Sequence, residues 1–382
     1  MRIHIAHAID PQTDEAVVEL LDQLADLLDG ASPVAGVLFL AIRHAPSEVL
    51  PALRARYPTM VLIGCTTDGE LSSVAGLQQD SIVLAVFEGT GVTATAALAR
   101  EVSTDPPRRV REAVEAAGGS EGARCVIALS ESLTASAVKL LDAVVAAFPP
   151  GVQIVGGTAG DQRQFSATWQ ICGDEAVHDG VAMLILRGDI AVAVGVASGW
   201  KAVGPAGRVT RSEDHVVHEI DGLPATRFYR QYFGESVLFS PDHPMYVSAD
   251  PERGFCLRAP LRVGEGEGAV TFAGDVPEGA VVRVTTASRP DILEGCRASV
   301  RNAVAQGQLR SLYGVLVVTC AARRMLLGTD AEHETRILRD SVGLDVPVFG
   351  FYSYGEFGAT TPDAPADFHN ETFITVLFGG LA

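Results

Sequence analysis

The chain has 382 residues, 47% hydrophobic and 20% charged, which is enough for two or three compact cores and too apolar for a disordered chain. Its formal charge of −18, with no basic tract, excludes a general nucleic-acid or anionic-membrane binder, because such surfaces need clustered Lys and Arg. The start lacks a basic segment followed by a long apolar core, and no run approaches the roughly 20 apolar residues that span a bilayer, so a cytoplasmic protein is expected.

The first helix is predicted from Asp14 to Leu28, with Val17, Leu20, Leu21, Leu24 and Leu28 at helical spacing, and reads as a docked cover. A pattern of strand, helix, strand, glycine turn and strand then occurs three times. The first copy runs VLFLAI, a helix from Ser47 to Tyr57, VLIGCTTDGE and SIVLAVFEG. The second runs CVIALS, a helix from Thr134 to Phe148, VQIVGGTAGD and VAMLILRG. The third runs VLVVTC, a helix from about Ala331 to Ser341, VPVFGFYSYGE and FITVLFGG. Between the last two copies lie HVVHEIDG, the helix-like LPATRFYRQYFG and the short alternating strands MYVSA, FCLRAPLRV, AVTFAGD and AVVRVTTA, then a helix from near Pro290 to Gly307. Continuous apolar runs alternating with helices predict an α/β fold of mixed β-sheets, built from strand-helix-strand repeats with helices covering the outer faces. A layered αββα sandwich is one arrangement that meets this description. The glycine-rich GWKAVGPAG places a domain boundary near residue 220, giving parts 1–220 and 221–382.

Set side by side, the turns are G64-C-T-T-D-G-E70, G156-G-T-A-G-D161 and G350-F-Y-S-Y-G-E356, each a glycine, three or four residues, a second glycine and an acid. Glycine permits close approach to backbone, and exposed turn amides can cradle an anion at the carboxyl ends of parallel strands. A phosphate loop would need Gly-Lys-Ser/Thr where Glu70, Asp161 and Glu356 stand, so a nucleotide does not fit. Amides beside a carboxylate suit a ligand with an acidic and an amino group, such as an amino acid. The expected site is therefore Gly64, Cys65, Thr66, Thr67, Gly69 and Glu70 from the first turn, with Gly156, Gly157, Thr158 and Asp161 from the second. Tyr352, Ser353, Tyr354, Gly355 and Glu356 complete it from the third, with His369 and Asn370 of DFHNET alongside. On this view Glu356→Gln weakens an amine-bearing ligand; on the alternative view each acid ties down its own turn.

Cys65 admits two readings, a nucleophile or a wall of the pocket. Its counterparts Gly157 and Phe351 show that the repeated feature is the bend, and no histidine spacing nominates a base for the thiol. An enzyme using Cys65 or a carboxylate pair is the competing class. The six cysteines carry no C-x-x-C pair, and neither His215-x-x-His218 nor His4-x-x-His7 has a third ligand nearby, so no disulfide framework and no metal are expected.

IGCTTDGE, VGGTAGD, the passage from GWKAVGPAG to EIDGLPA, RAPLRV, GDVPEGAVVRV, CAARR (320–324), GFYSYGE and HNET form an ordered set that resembles the FIST family of sensory domains over nearly the whole chain. The resemblance implies a cytosolic module of bacterial signal transduction that binds small molecules such as amino acids. Some members bind haem and sense nitric oxide, which makes haem the alternative cofactor, with His44, His178 and Cys65 the candidate axial ligands. Many members are fused to chemoreceptor, kinase or cyclic-dinucleotide enzyme domains. This chain ends in what reads as the last sensory strand, so a stand-alone sensor acting on a separate kinase or cyclic-dinucleotide enzyme is expected.

Overall fold

The computed structural model describes residues 1–235, 242–249, 255–264, 268–307 and 309–381. The three predicted copies become three blades, each a mixed six-stranded sheet. In the first, β1 (Arg2–Ala8), β2 (Ala35–Ala41), β3 (Val61–Thr67) and β6 (Ile82–Glu88) stand in the order β1-β6-β2-β3. β4 (Glu70–Ser72) and β5 (Gly76–Gln78) leave this blade as a hairpin. The second blade has β7 (Val92–Arg100), β8 (Ala123–Ser130), β9 (Gln153–Thr158) and β12 (Gly180–Gly188), in the order β7-β12-β8-β9; its hairpin is β10 (Gln170–Cys172) and β11 (Glu175–Val177). The third has β13 (Ala191–Ala197), β14 (Leu309–Cys320), β15 (Val348–Ser353) and β18 (Phe373–Leu381), in the order β13-β18-β14-β15, with hairpin β16 (Glu356–Gly358) and β17 (Asp367–His369).

No blade keeps its own hairpin. β4 and β5 add to the third sheet, β10 and β11 to the first, and β16 and β17 to the second, each antiparallel to the strand that carries the glycine turn. The exchange closes a ring of three. Corresponding residues follow from register: Leu38 pairs Gly64, Ala128 pairs Gly156 and Val317 pairs Gly350. A Cβ on Gly64, Gly156 or Gly350 would lie 2.5, 2.0 or 2.2 Å from the carbonyl oxygen of that partner, so the first glycine of each turn is required by strand packing.

Both faces of each sheet are buried, which is why the strands read as continuous apolar runs. The inner faces of all three sheets meet in one core, where Phe39 packs 4.5 Å from Phe351 and Phe87 packs 5.8 Å from Phe378. Outside the first sheet lie α1 (Thr13–Leu28) and α2 (Pro46–Arg56), with Leu20, Leu24, Leu50 and Leu53 packed on Leu38 and Leu84. The second sheet is covered by α3 (Pro106–Ala116), started by Asp105 and Pro106, and α4 (Ala137–Ala146). The third is covered by α5 (Arg289–Gln306), opened by a Ser288/Asp291 capping box, α6 (Ala321–Leu327) and α7 (Glu332–Val342). The mixed sheets with helices outside are as the sequence predicts; the sheets number three around one centre, not two face to face.

Residues 201–286 are inserted between β13 and α5. The described residues of this insertion form an antiparallel sheet with a helix at Ala225–Phe233 and a separate core that includes Val209, Ile220, Tyr229, Phe272 and Val282. Arg258 docks this insertion, its Nη1 donating to the Phe368 carbonyl at 3.0 Å. The chain on each side of residue 220 thus contributes both to the insertion and to the third sheet.

Candidate functional site

The three glycine turns meet at one end of the core and hydrogen-bond to each other. The Asp68 amide donates to Tyr352 O at 2.9 Å, the Tyr352 amide to Gly69 O at 2.8 Å, the Gly160 amide to Thr66 O at 2.9 Å and the Thr158 amide to Gly355 O at 2.8 Å. These donors hold the blades together and do not form the anion cradle that the glycine spacing suggests.

Glu70 and Glu356 are turned inward and fully buried. Thr67 donates its hydroxyl to Glu70 Oε1, and Ser81 donates its amide at 3.3 Å and hydroxyl at 2.8 Å to Oε2. Around Glu356 the arrangement repeats, with Ser353 at 2.8 Å on Oε1 and the Thr372 amide and hydroxyl at 3.1 and 2.8 Å on Oε2. Each acid pins the start of its blade's last strand. Burial pushes both carboxyls up to about 7 against these hydrogen bonds. His7 bridges Ser72 and Ser81 at 2.7 and 2.9 Å and is pushed down to about 4 by burial, so a neutral ring backs the Glu70 cluster.

Cys65, the counterpart of Gly157 and Phe351, lies in the central core with no exposed surface. Burial, then the nearby Glu70, drives its thiol well above the ordinary range, which is the opposite of an activated nucleophile. The rings of His44 and His178 are also engaged: His44 contacts Thr13 Oγ1 at 3.0 Å and Asp80 O at 3.1 Å, and His178 contacts Thr168 O at 2.9 Å and stacks on Trp169. Cys65 is thus enclosed by the core, both His44 ring nitrogens have protein partners, and so does Nδ1 of His178. Among the predicted wall residues, Thr66 accepts from the Trp169 amide, Tyr352 donates to Glu334 at 2.6 Å, and His369 contacts Gly358 O at 2.9 Å. Gly157 is closed in by Val318 and Gly355.

Among the buried polar groups left without a hydrogen bond is a residue between the two glycines of the first turn, Asp68. Asp68 is fully buried and neither carboxylate oxygen accepts a hydrogen bond. Arg324 Nη2 lies 3.1 Å from Oδ2, and Arg163 Nε lies 3.8 Å from Oδ1. Burial raises the Asp68 carboxyl to about 6 despite both guanidinium groups. Arg324 is fixed from below, over the Tyr352 ring and, with the Gln79 amide oriented oxygen inward, 2.9 Å from that oxygen. Its neighbour Arg323 is fully occupied by Glu334, Ser198 O and Ile292 O. A Cβ on Gly69 would lie 2.9 Å from Arg324 Nη1, and one on Gly160 would lie 2.8 Å from the Asp68 amide, so the second glycines make room for this ion cluster.

The segment after the second turn covers the cluster. Asp161 accepts from the amides of Phe165, Ser166 and Ala167 at 3.0, 2.7 and 3.2 Å and from the Tyr354 hydroxyl at 2.6 Å, while Phe165 stacks on Tyr354. These bonds to its charged form outweigh its own burial and hold the Asp161 carboxyl below its usual range. Other buried groups near the third turn also lack hydrogen bonds: Asn370 Oδ1, the hydroxyls of Thr158 and Thr319, and the carboxylate of Glu371, a non-glycine residue at φ +62°. The structure thus brings Asp161, Tyr354 and the two turn glycines to one place with Asp68, Arg163 and Arg324, which spacing alone did not single out.

Several open grooves lie away from the turns. One of about 760 Å³ is lined by Leu50, Arg54, Trp169 and Asp174, between α2 and the incoming β10–β11 hairpin. Grooves of about 320 and 300 Å³ occupy the corresponding seams of the other two blades. They follow from the hairpin exchange and contain none of the turn residues.

Comparison with known proteins agrees with the ordered motifs. Residues 34–223 match the FIST N domain and residues 225–359 the FIST C domain. Uncharacterized protein MJ1623 of Methanocaldococcus jannaschii is 23% identical over 314 residues, 77% of this chain, and the match spans only 59% of that relative's length. Two structures of cyanuric acid hydrolase, one from A. caulinodans, align with 100% of this chain and 99% of theirs, at 9% and 10% identity and TM-scores of 0.39 and 0.38. The chain belongs to the FIST family, whose domains are associated with sensory signal transduction.

Proposed function

We propose that this chain senses a small molecule, an amino acid in the simplest case, at the junction of the three turns. The observation that carries the reading is the Asp68 carboxylate, buried, without a hydrogen bond, and next to a fixed arginine. A buried carboxylate left in this state is costly, and a ligand ammonium group would supply the missing donors. Half-exposed Arg163, once moved off Asp68, would be free to meet the ligand's own carboxylate. Glu70 and Glu356 then support the site from within instead of touching ligand. In this reading the protein works in the cytoplasm and reports its ligand state to a separate kinase or cyclic-dinucleotide enzyme, through surfaces that differ between free and bound states. Among the described residues no helix is long and apolar enough to cross a membrane.

The test is a thermal-shift screen against amino acids, small organic acids, nucleotides and haem, repeated on Asp68→Asn. A ligand at a hundred times its Kd should add about 2.7 kcal/mol to wild-type stability. Stabilisation that survives the substitution would remove Asp68 as the anchor.

A further inference from the structure

Arg163 sits over Asp68 in a manner that fills the position without completing it. Its Nε is 3.8 Å from Oδ1, beyond hydrogen-bond reach, and its side chain is 44% exposed. The segment that carries it is bent hard: Gln162, Arg163 and Phe165 have φ of +56°, +63° and +49°, a region unfavourable for residues with a side chain. Asp161 and Tyr354 enforce this bend, the Arg163 amide donating to the Tyr354 hydroxyl at 2.6 Å, and Gln162 is tied to Asp80 at 3.0 Å. Below, Arg324 and Gln79 close the inner side of Asp68, and Gly160 presses on its amide. Arg324 therefore faces Oδ2, and Arg163 stands over Oδ1.

We propose that Arg163 is a tethered counter-ion, displaced from Asp68 by the ammonium or guanidinium group of the ligand, so that binding releases the 162–165 segment. The inference rests on Asp68 being the ligand anchor. It adds that the free protein is held closed by an internal mimic of the ligand's cationic group. The conformational change is built from an exchange of ion pairs: the ligand takes Asp68, and Arg163 is freed with its segment.

The probe is methylguanidinium, titrated by calorimetry into the full chain, with hydrogen exchange followed at the Phe165, Ser166 and Ala167 amides. Arg163→Ala should bind the probe about tenfold more tightly than wild type, because the competing closed state is removed. The double variant R163A/D68N should not bind it. In wild type, saturating probe should speed exchange at the three amides. Equal affinity in wild type and R163A, with binding still dependent on Asp68, would overturn the counter-ion while leaving the anchor in place. Unchanged exchange at saturation would overturn release of the segment, and probe binding that ignores Asp68 in both proteins would overturn anchor and counter-ion together.

Discussion

Ser81 and Thr372 hold the same position in two blades, one residue before the last strand, and each donates its hydroxyl at 2.8 Å to the acid of its own glycine turn. The acids are thus part of the frame. With Glu70 and Glu356 raised to about 7 from an unfolded value near 4.5, the native state binds more protons than the unfolded chain between those limits. The contribution to stability is complete below pH 4.5 and is lost as pH rises through 7.

Glu70→Gln and Glu356→Gln should therefore flatten the pH dependence of stability between about pH 4.5 and 8 and raise stability at pH 8 by on the order of 1–3 kcal/mol. The amide oxygen can take over the Ser81 or Thr372 bonds, while the Nε2 group donates to the Thr67 or Ser353 hydroxyl. Urea midpoints at several pH values measure this. A loss of stability at pH 8 would show that the ionised carboxyl is needed, and ligand affinity should be unchanged by Glu356→Gln, contrary to the expectation from the turn pattern alone.

Asp68 sets a second pH dependence with a different readout. Burial first, opposed by Arg324 and Arg163 and assisted by Asp161, holds its carboxyl near 6, and only the ionised form attracts an ammonium group. Affinity for an amine-bearing ligand should be level above pH 7 and fall about tenfold per unit well below pH 6. Calorimetry at pH 5, 6, 7 and 8 measures the slope; a flat profile would exclude Asp68 as the group that binds the cation.

The three copies were legible because each blade repeats a full apolar run, a helix and a glycine turn, signals that survive divergence of the side chains. The exchange of hairpins was not. ELS, GLQ, QIC, EAV, EFG and DFH are three-residue strands, too short to show a period, and their choice of sheet is decided by tertiary packing. Asp68 lies inside the first turn but has no acidic counterpart at the matching position of the other two, so the repeated pattern does not mark it. Arg324 could be seen only as part of CAARR, since nothing local tells which of two adjacent arginines is satisfied. Arg163 depends on three left-handed residues that carry no glycine to announce them. The common positions of the turns built the frame, and the positions where they differ built the ion cluster.

Cys65 should behave as a core residue. A thiol reagent at neutral pH should modify half-buried Cys172 and Cys256 before the others and reach Cys65 only at the rate of global unfolding. Mass mapping over time gives the order. Rapid stoichiometric labelling of Cys65 in the native protein would contradict its place beside Phe39 and Phe351 and would revive the enzyme reading.

The closed exchange predicts how the whole frame unfolds. Removing the third blade would strand β4 and β5 without the sheet they complete and strip β16 and β17 from the second sheet, while the inner faces of both remaining sheets lost Phe349, Phe351 and Phe378. Residues 1–200 expressed alone should therefore lack a cooperative unfolding transition, although they contain two complete copies of the repeat. A single substitution asks the same question more gently: Phe351→Ala in the intact chain should cost about 3–5 kcal/mol, since the ring packs on Phe39 across two sheets and the cavity has no single blade to collapse into. Urea denaturation followed by circular dichroism and by tryptophan fluorescence should report one shared midpoint for the three blades. A fragment 1–200 that unfolds cooperatively would show that a blade is complete without the hairpin it receives, and that the ring is an ornament of the fold and not its source of cohesion.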